Sequence, residues 1–266
     1  MSMPAPSLLV AEGLTRRFQG LVAVDGVDLA VREGNVHGLI GPNGAGKTTL
    51  FNLLSGVLAP TAGSVRLDGR ALDGLPPYRR TALGLARTFQ NIRIFTEMTV
   101  LENVMTGMHA RLSSGLGILL RSPGFRAEER AAKARARELL AFVGLAEAAE
   151  RRAGSLPYGD QRRLEIARAL ACEPRLVLLD EPAAGMNPAD THALLGLLRR
   201  LRDERGLTLL LVEHDMPLVM SLCDRLTVLN FGRRIADGTP AEVRAHPAVI
   251  EAYLGTKAAI PQGAAS

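Results

Sequence analysis

Residues 36 to 54 constrain this chain more than any other stretch. Val36 to Ile40 is short and mostly apolar, and it reads as a buried strand. Gly41-Pro42-Asn43-Gly44-Ala45-Gly46-Lys47-Thr48 follows and fits G-x-x-x-x-G-K-[ST]. Thr49 to Leu54 is then apolar enough to open a helix. Strand, Gly-rich turn and helix in that order let backbone N–H groups converge on a phosphate. The helix N-terminus adds the positive end of its dipole. In such a loop Lys47 reaches the outer phosphates and the Thr48 hydroxyl can ligate Mg²⁺.

The rest of the chain is compatible with a core built around that loop. Its 266 residues can bury one large domain, or a domain with a subdomain. Apolar residues make up 47% and charged residues 22%, an ordinary soluble balance. The formal charge of +5 is spread along the chain, so a nucleic-acid role is not suggested. A basic face near anionic lipid is equally compatible. Cys172 and Cys223 have no metal-ligand spacing and read as reduced, mostly structural thiols. Met1 to Ser7 lacks a signal-peptide pattern, and no apolar run is long enough to cross a bilayer. Work at a membrane would therefore go through a partner.

Leu8–Val10, Val27–Val31 and Ser64–Asp68 read as short strands bracketing the loop, a small antiparallel sheet beside a nucleotide. From Thr99 to about Ala153 the pattern is helical. Thr99-Val100-Leu101-Glu102 fits a capping box, and Ala127–Val143 has apolar residues at helical spacing. Leu112–Phe125 is broken by Gly, Ser and Pro and reads as an inserted turn or short helix. Helices and strands then alternate. The helices are Asp160–Cys172, Ala189–Arg205 and Asp215–Cys223; the strands are Leu176–Asp180, Leu207–Glu213 and Leu226–Leu229. The continuous apolar runs in the first two of those strands point to burial on both faces, hence a parallel sheet.

The strand Leu176–Asp180 carries the second constellation. Asp180 stands at its C-terminal end and Glu181 next to it. Beside a phosphate loop, Asp180 suits the Mg²⁺ shell, and Glu181 suits the base that polarises the attacking water.

Leu156-Pro157-Tyr158-Gly159-Asp160-Gln161-Arg162-Arg163 lies just upstream and opens a helix. Here the sequence resembles the ATP-binding subunits of ABC transporters, over about Leu8 to Gly255. The resemblance implies an α/β fold: a phosphate-loop (RecA-like) core with a mostly parallel sheet, an antiparallel β subdomain and an inserted helical subdomain. It implies one ABC ATPase domain over 8–255. The core would be 8–91 and 154–255, the helical subdomain about 92–153, and 256–266 a flexible tail. ATP and Mg²⁺ are the implied cofactors. Gly41 to Thr48 with Thr49 would cradle the phosphates, and Phe18 would stack on adenine. Gln90 would sense Mg²⁺ and the membrane partner, and His214 would contact the γ-phosphate. Tyr158, Gly159 and Asp160 would face the nucleotide of a second subunit. A lone Phe, Gln or His has ordinary structural uses; the order and spacing of these residues carry the reading.

Within that family the chain resembles the ATPases of branched-chain amino acid importers. Tyr158 in the signature, Ala183-Ala184-Gly185-Met186-Asn187-Pro188 after Glu181, and Val212-Glu213-His214-Asp215-Met216 point there. So does the ending Ala252-Tyr253-Leu254-Gly255, while the insertion at 112–125 is similar to the longer of the two ATPases such importers use. The implied partners are a second ATPase subunit, identical or not, integral membrane permeases and, indirectly, an external binding protein, with no nucleic acid. The implied location is the cytoplasmic face of the inner membrane. Another cargo, such as lipopolysaccharide, urea or an amide, and a soluble ABC ATPase remain as alternatives.

The signature departs from the family pattern. Pro157 replaces a Ser and offers neither hydroxyl nor N–H. Asp160 replaces a Gln and brings a negative charge toward phosphates unless it caps the helix. The composite site that uses this signature is expected to be the weaker one.

Overall fold

The computed structural model describes residues 7–108 and 123–258. These form two compact units, one of the described residues within 1–75 and 208–266 and one of those within 76–207.

The first unit contains two sheets. One is antiparallel, in the order β2-β1-β4-β5, from β1 (Ser7–Phe18), β2 (Leu21–Arg32), β4 (Ala62–Leu67) and β5 (Arg70–Ala71). β1 and β2 run well beyond the strands expected at 8–10 and 27–31. Their pairing register shifts four times, including between Ala11 and Leu14. Bulges of this kind break the period-two alternation by which a strand is read from sequence.

The second sheet of this unit holds β3 (Val36–Ile40) between β8 (Thr208–Val212) and β9 (Arg225–Asn230), both parallel to it. β10 (Arg233–Gly238) adds to β9 as an antiparallel hairpin. Every residue of β3 and β8 is buried, as their apolar runs require. The helices of the unit are α1 (Lys47–Ser55), α7 (Met216–Leu222), α8 (Pro240–Ala245) and α9 (Pro247–Ala258). α9 extends through 256–258, where a loose tail was expected, and 259–266 lie outside the described residues.

The second unit pairs β6 (Leu85–Arg87) in parallel with β7 (Leu176–Asp180), whose five residues are all buried. Its helices are α2 (Pro77–Ala82), α3 (Val100–Met108), α4 (Pro123–Phe142), α5 (Tyr158–Leu170) and α6 (Pro188–Arg205). α3 packs on both α4 and α5. The capping box is present at α3: Thr99 N–H donates to Glu102 Oε2 at 2.8 Å, and Glu102 N–H to Thr99 Oγ1 at 3.1 Å. α6 begins on an Asn187 cap that accepts from the Asp190 N–H at 2.8 Å and ends on Gly206 at φ 60°. The expected insertion at 112–125 lies outside the described residues, except for its last three, which open α4.

The parallel pairs and the separate antiparallel sheet are those of a phosphate-loop core with a β subdomain.

Candidate functional site: the phosphate loop and the Asp-Glu strand

In the first unit, residues 41–46 join β3 to α1 at very short range. Gly41 has φ 149°, and a Cβ there would lie 2.1 Å from the Leu229 carbonyl oxygen. Gly46 has φ 98°, and its Cβ would lie 2.5 Å from the Ala23 oxygen. Any side chain at either position would push the loop off its supports. Gly46 is also the N-cap of α1, which has no side-chain cap and no acidic residue in its first turn. The positive helix end is therefore left to an anion, and the donor set fits phosphate. Lys47 Nζ folds over the loop and donates to the carbonyls of Gly41 at 2.7 Å and Pro42 at 2.9 Å.

The hairpin between β9 and β10 braces this loop. The Gly232 N–H donates to Ala45 O at 3.0 Å, and the Gly232 carbonyl accepts from the Asp25 N–H at 2.8 Å. Phe18 ends β1, part exposed, with the Arg16 guanidinium 4.6 Å from its ring centre. One face of the ring is thus occupied, and adenine would take the other or displace Arg16. His214 follows β8, exposed, its N–H on Glu213 Oε2 at 3.2 Å.

In the second unit, Asp180 is buried at the end of β7 and bonded by Arg87 Nη2 at 2.8 Å. Glu181 follows in the left-handed region at φ 45°, which is strained for a side-chain-bearing residue. Its Oε2 accepts from Gln90 Nε2 at 2.8 Å. The structure so brings together two residues matched to one reaction from opposite ends of the unit.

The signature segment is tied to both neighbouring loops. Arg162, fully buried, donates to the carbonyls of Phe89 at 2.7 Å and Gln90 at 2.8 Å and to Glu165 at 2.8 Å. Burial pushes the Glu165 carboxyl up, while Arg162 and the N–H groups of Phe89 and Arg93 pull it back. The Tyr158 hydroxyl donates to Ala184 O at 3.1 Å. A Cβ on Gly159 would lie 2.7 Å from the Asp190 carboxyl carbon. Pro157 is the N-cap of α5 and supplies no side-chain cap. Asp160 does not cap the helix either; it forms an ion pair with Arg163, three residues on. Its charge is thereby offset within α5, which removes much of the conflict with phosphate that the sequence raised.

Sequence reasoning assigned no role to Arg87, Arg162 or Glu165. A buried Arg reads in sequence like any solvated one, and only the carbonyls that converge on it mark its function. Among the described residues no cluster of three or more His, Cys, Asp or Glu side chains is arranged to hold a metal. A Mg²⁺ that arrived with a nucleotide would keep several waters and be held largely by the phosphates, so it needs no such cluster. Among the described residues no helix is long and apolar enough to cross a membrane.

A braced phosphate loop with a free helix dipole, and a buried strand ending in Asp-Glu, define an ATPase of the phosphate-loop class. The chain belongs to the ABC transporter family: residues 24–184 match the family described as "ABC transporter". Residues 233–259 match "Branched-chain amino acid ATP-binding cassette transporter". The chain is 51% identical to the high-affinity branched-chain amino acid transport ATP-binding protein BraF of Pseudomonas aeruginosa, over 96% of this chain and 99% of that protein. It is 48% identical to the corresponding protein LivG of Escherichia coli K12, over the same shares. Among solved structures, the ADP conformation of MJ1267, an ATP-binding cassette of an ABC transporter, is similar with TM-score 0.82 and 33% identity, covering 96% of this chain and 100% of that one.

Proposed function

We propose that this chain is the ATP-hydrolysing subunit of an importer for branched-chain amino acids, held at the cytoplasmic face of the inner membrane by permease subunits. The near full-length likeness to BraF carries the cargo reading. Two ATPase subunits close head to tail, each nucleotide lying between one subunit's phosphate loop and the other's signature helix. The N–H groups of 44–49 and Lys47 hold the phosphates, Phe18 the base, and Thr48, Gln90 and Asp180 the Mg²⁺ shell. Bound Mg²⁺ supplies charge neutralisation on the transferring phosphoryl group. Glu181 accepts the proton of the attacking water, with its carboxylate oriented by Gln90. His214 donates to the γ-phosphate. On the partner's nucleotide, Tyr158, Gly159 and Asp160 present the N-terminus of α5 in place of the missing Ser hydroxyl.

The helical region of about 92–153 docks the permease, with Gln90 at its hinge. A groove of about 560 Å³ in the second unit supports this reading, with Phe89, Arg93, Phe95, Gly107 and Arg168 among its lining residues. It offers aromatic and basic groups to an entering helix, next to the loop that carries Gln90. The test is uptake of labelled Leu, Ile and Val in cells lacking the chain. Uptake falls, and the parent chain restores it while Glu181→Gln does not. Unchanged uptake would remove the cargo and leave the ATPase assignment standing.

A further inference from the structure

Two side chains about one turn apart on α5 grip the backbone around Gln90. Arg162 Nη1 donates to the Phe89 carbonyl at 2.7 Å and to Glu165 Oε2 at 2.8 Å, and Nη2 donates to the Gln90 carbonyl at 2.8 Å. Glu165 Oε1 accepts from the N–H groups of Phe89 at 3.3 Å and Arg93 at 3.4 Å. The segment 89–93, which has no helix or strand of its own, is thus held at two carbonyls and two N–H groups. The Arg162 and Glu165 side chains are 0% and 2% exposed. A buried ion pair adds little net stability over apolar packing of the same volume. What it adds here is direction, because the planar fork of a guanidinium sets its acceptors at fixed angles.

We propose that Arg162, seated on Glu165, is a positioning residue for hydrolysis: it fixes the backbone of Gln90 so that the Gln90 amide meets the Glu181 carboxylate. Gln90 is exposed, so the direction of its side chain depends on the backbone that carries it. Arg162 bonds that backbone directly, and the amide at the far end of the side chain lies 2.8 Å from Glu181 Oε2. Two hydrogen bonds and one side chain therefore separate the buried guanidinium from the proposed base. Arg162 is wholly enclosed and acts through Gln90. It stands about one turn after Tyr158, in the segment assigned to the partner's nucleotide. One helix thus serves its own subunit's base with one turn and the other subunit's phosphates with the turn before. A base already in place needs no reorganisation in the transition state, so loss of the grip falls on kcat.

The inference rests on the reading of Glu181 as the base, and the test separates the two. ATP affinity, kcat and melting temperature are measured for the parent, Arg162→Lys, Gln90→Ala and the double variant. Lys keeps the charge beside Glu165 but cannot reproduce the fork that serves both carbonyls. Arg162→Lys is expected to lower kcat about tenfold, with ATP affinity within about threefold. In the Gln90→Ala background the same substitution lowers kcat by less than about twofold, because the side chain through which Arg162 acts is gone. An unchanged kcat in Arg162→Lys overturns the proposal. So does an equal fall in both backgrounds, which is the mark of a merely structural side chain. If Arg162→Lys does not fold, Glu165→Gln carries the same cycle. It keeps the volume of the seat and loses its charge, and its effect on kcat must likewise vanish in Gln90→Ala. In the parent itself the Phe89 and Arg93 amides exchange slowly; exchange of both at the rate of an unfolded peptide also overturns the proposal. If Glu181→Gln turns over like the parent, the reading of the base fails, and the proposal with it. If Glu181→Gln is inactive and the Arg162 cycle shows no coupling to Gln90, the proposal alone fails.

Discussion

Gln90 and Glu181 are hydrogen-bonded, side-chain amide to carboxylate, at 2.8 Å. The bond fixes the orientation of a carboxylate whose backbone is held at φ 45°. It also ties the proposed base to the loop that leads into the helical region. Removing it should slow hydrolysis more than it weakens ATP binding. For Gln90→Ala we expect kcat to fall about tenfold, as for loss of one hydrogen bond to a charged group. Phosphate release at saturating ATP and equilibrium nucleotide binding check the split.

Glu181→Gln keeps the shape and the partner of the side chain and removes its basicity. Turnover should fall by about a hundredfold or more, while ATP binding persists and a closed dimer accumulates. Gel filtration with ATP reads the dimer. Turnover at the parental rate would remove Glu181 from the role of base.

Arg87 and Asp180 form a buried pair, their side chains 8% and 6% exposed. Arg87→Ala strands the carboxylate in the interior. The expected cost is about 3 kcal/mol, visible as a fall in melting temperature of about 6–10 °C. A shift of a degree or less would show that Asp180 finds other compensation.

His37 sets a pH dependence. It lies in β3, fully buried, with Nε2 2.8 Å from Thr227 Oγ1. The Thr227 hydroxyl donates to Asp237 at 2.6 Å, and Asp237 also pairs with Arg225. With the Thr227 proton committed to Asp237, His37 Nε2 carries the hydrogen and the ring is neutral. Burial lowers its pKa from 6.5 to about 4, with Arg225 adding to the shift and Asp237 opposing it. Above 6.5 neither the folded nor the unfolded chain holds the extra proton, and the contribution is constant. Between 6.5 and 4 the unfolded chain takes it up and the folded chain does not. Stability therefore falls with pH in that window, by about 2 kcal/mol at pH 5. Urea unfolding at two pH values, in the parent and in His37→Gln, isolates this share.

Pro157→Ser tests the weak signature. Restoring a hydroxyl toward the partner's phosphate should raise turnover of a homodimer about fivefold. An equal rate in both forms would mean that the α5 N-terminus alone suffices.

The sequence made some of this legible for physical reasons. β3 and β7 fall on the residues expected, because strands buried on both faces need unbroken apolar runs. The Thr99–Glu102 box is present because capping chemistry is local. β1 was not legible over its full length, since its bulges scramble the alternation. Asp160 misled because its partner Arg163 competes with the cap, and sequence alone does not rank the two. The Gln90–Glu181 contact was invisible, as both residues were matched separately and nothing local relates positions so far apart in the chain.

The bond from Gly232 to Ala45 has a consequence for how the subunit is made. β3, which carries the loop, has both its parallel neighbours, β8 and β9, far downstream in translation order. A ribosome that has just synthesised Lys47 has made the lysine but not its seat. Long-range parallel pairing of this kind forms late and slowly. The loop is therefore completed only when the hairpin after β9 has emerged. An unfinished chain that contains the whole motif still lacks the strands and the hairpin that brace its loop.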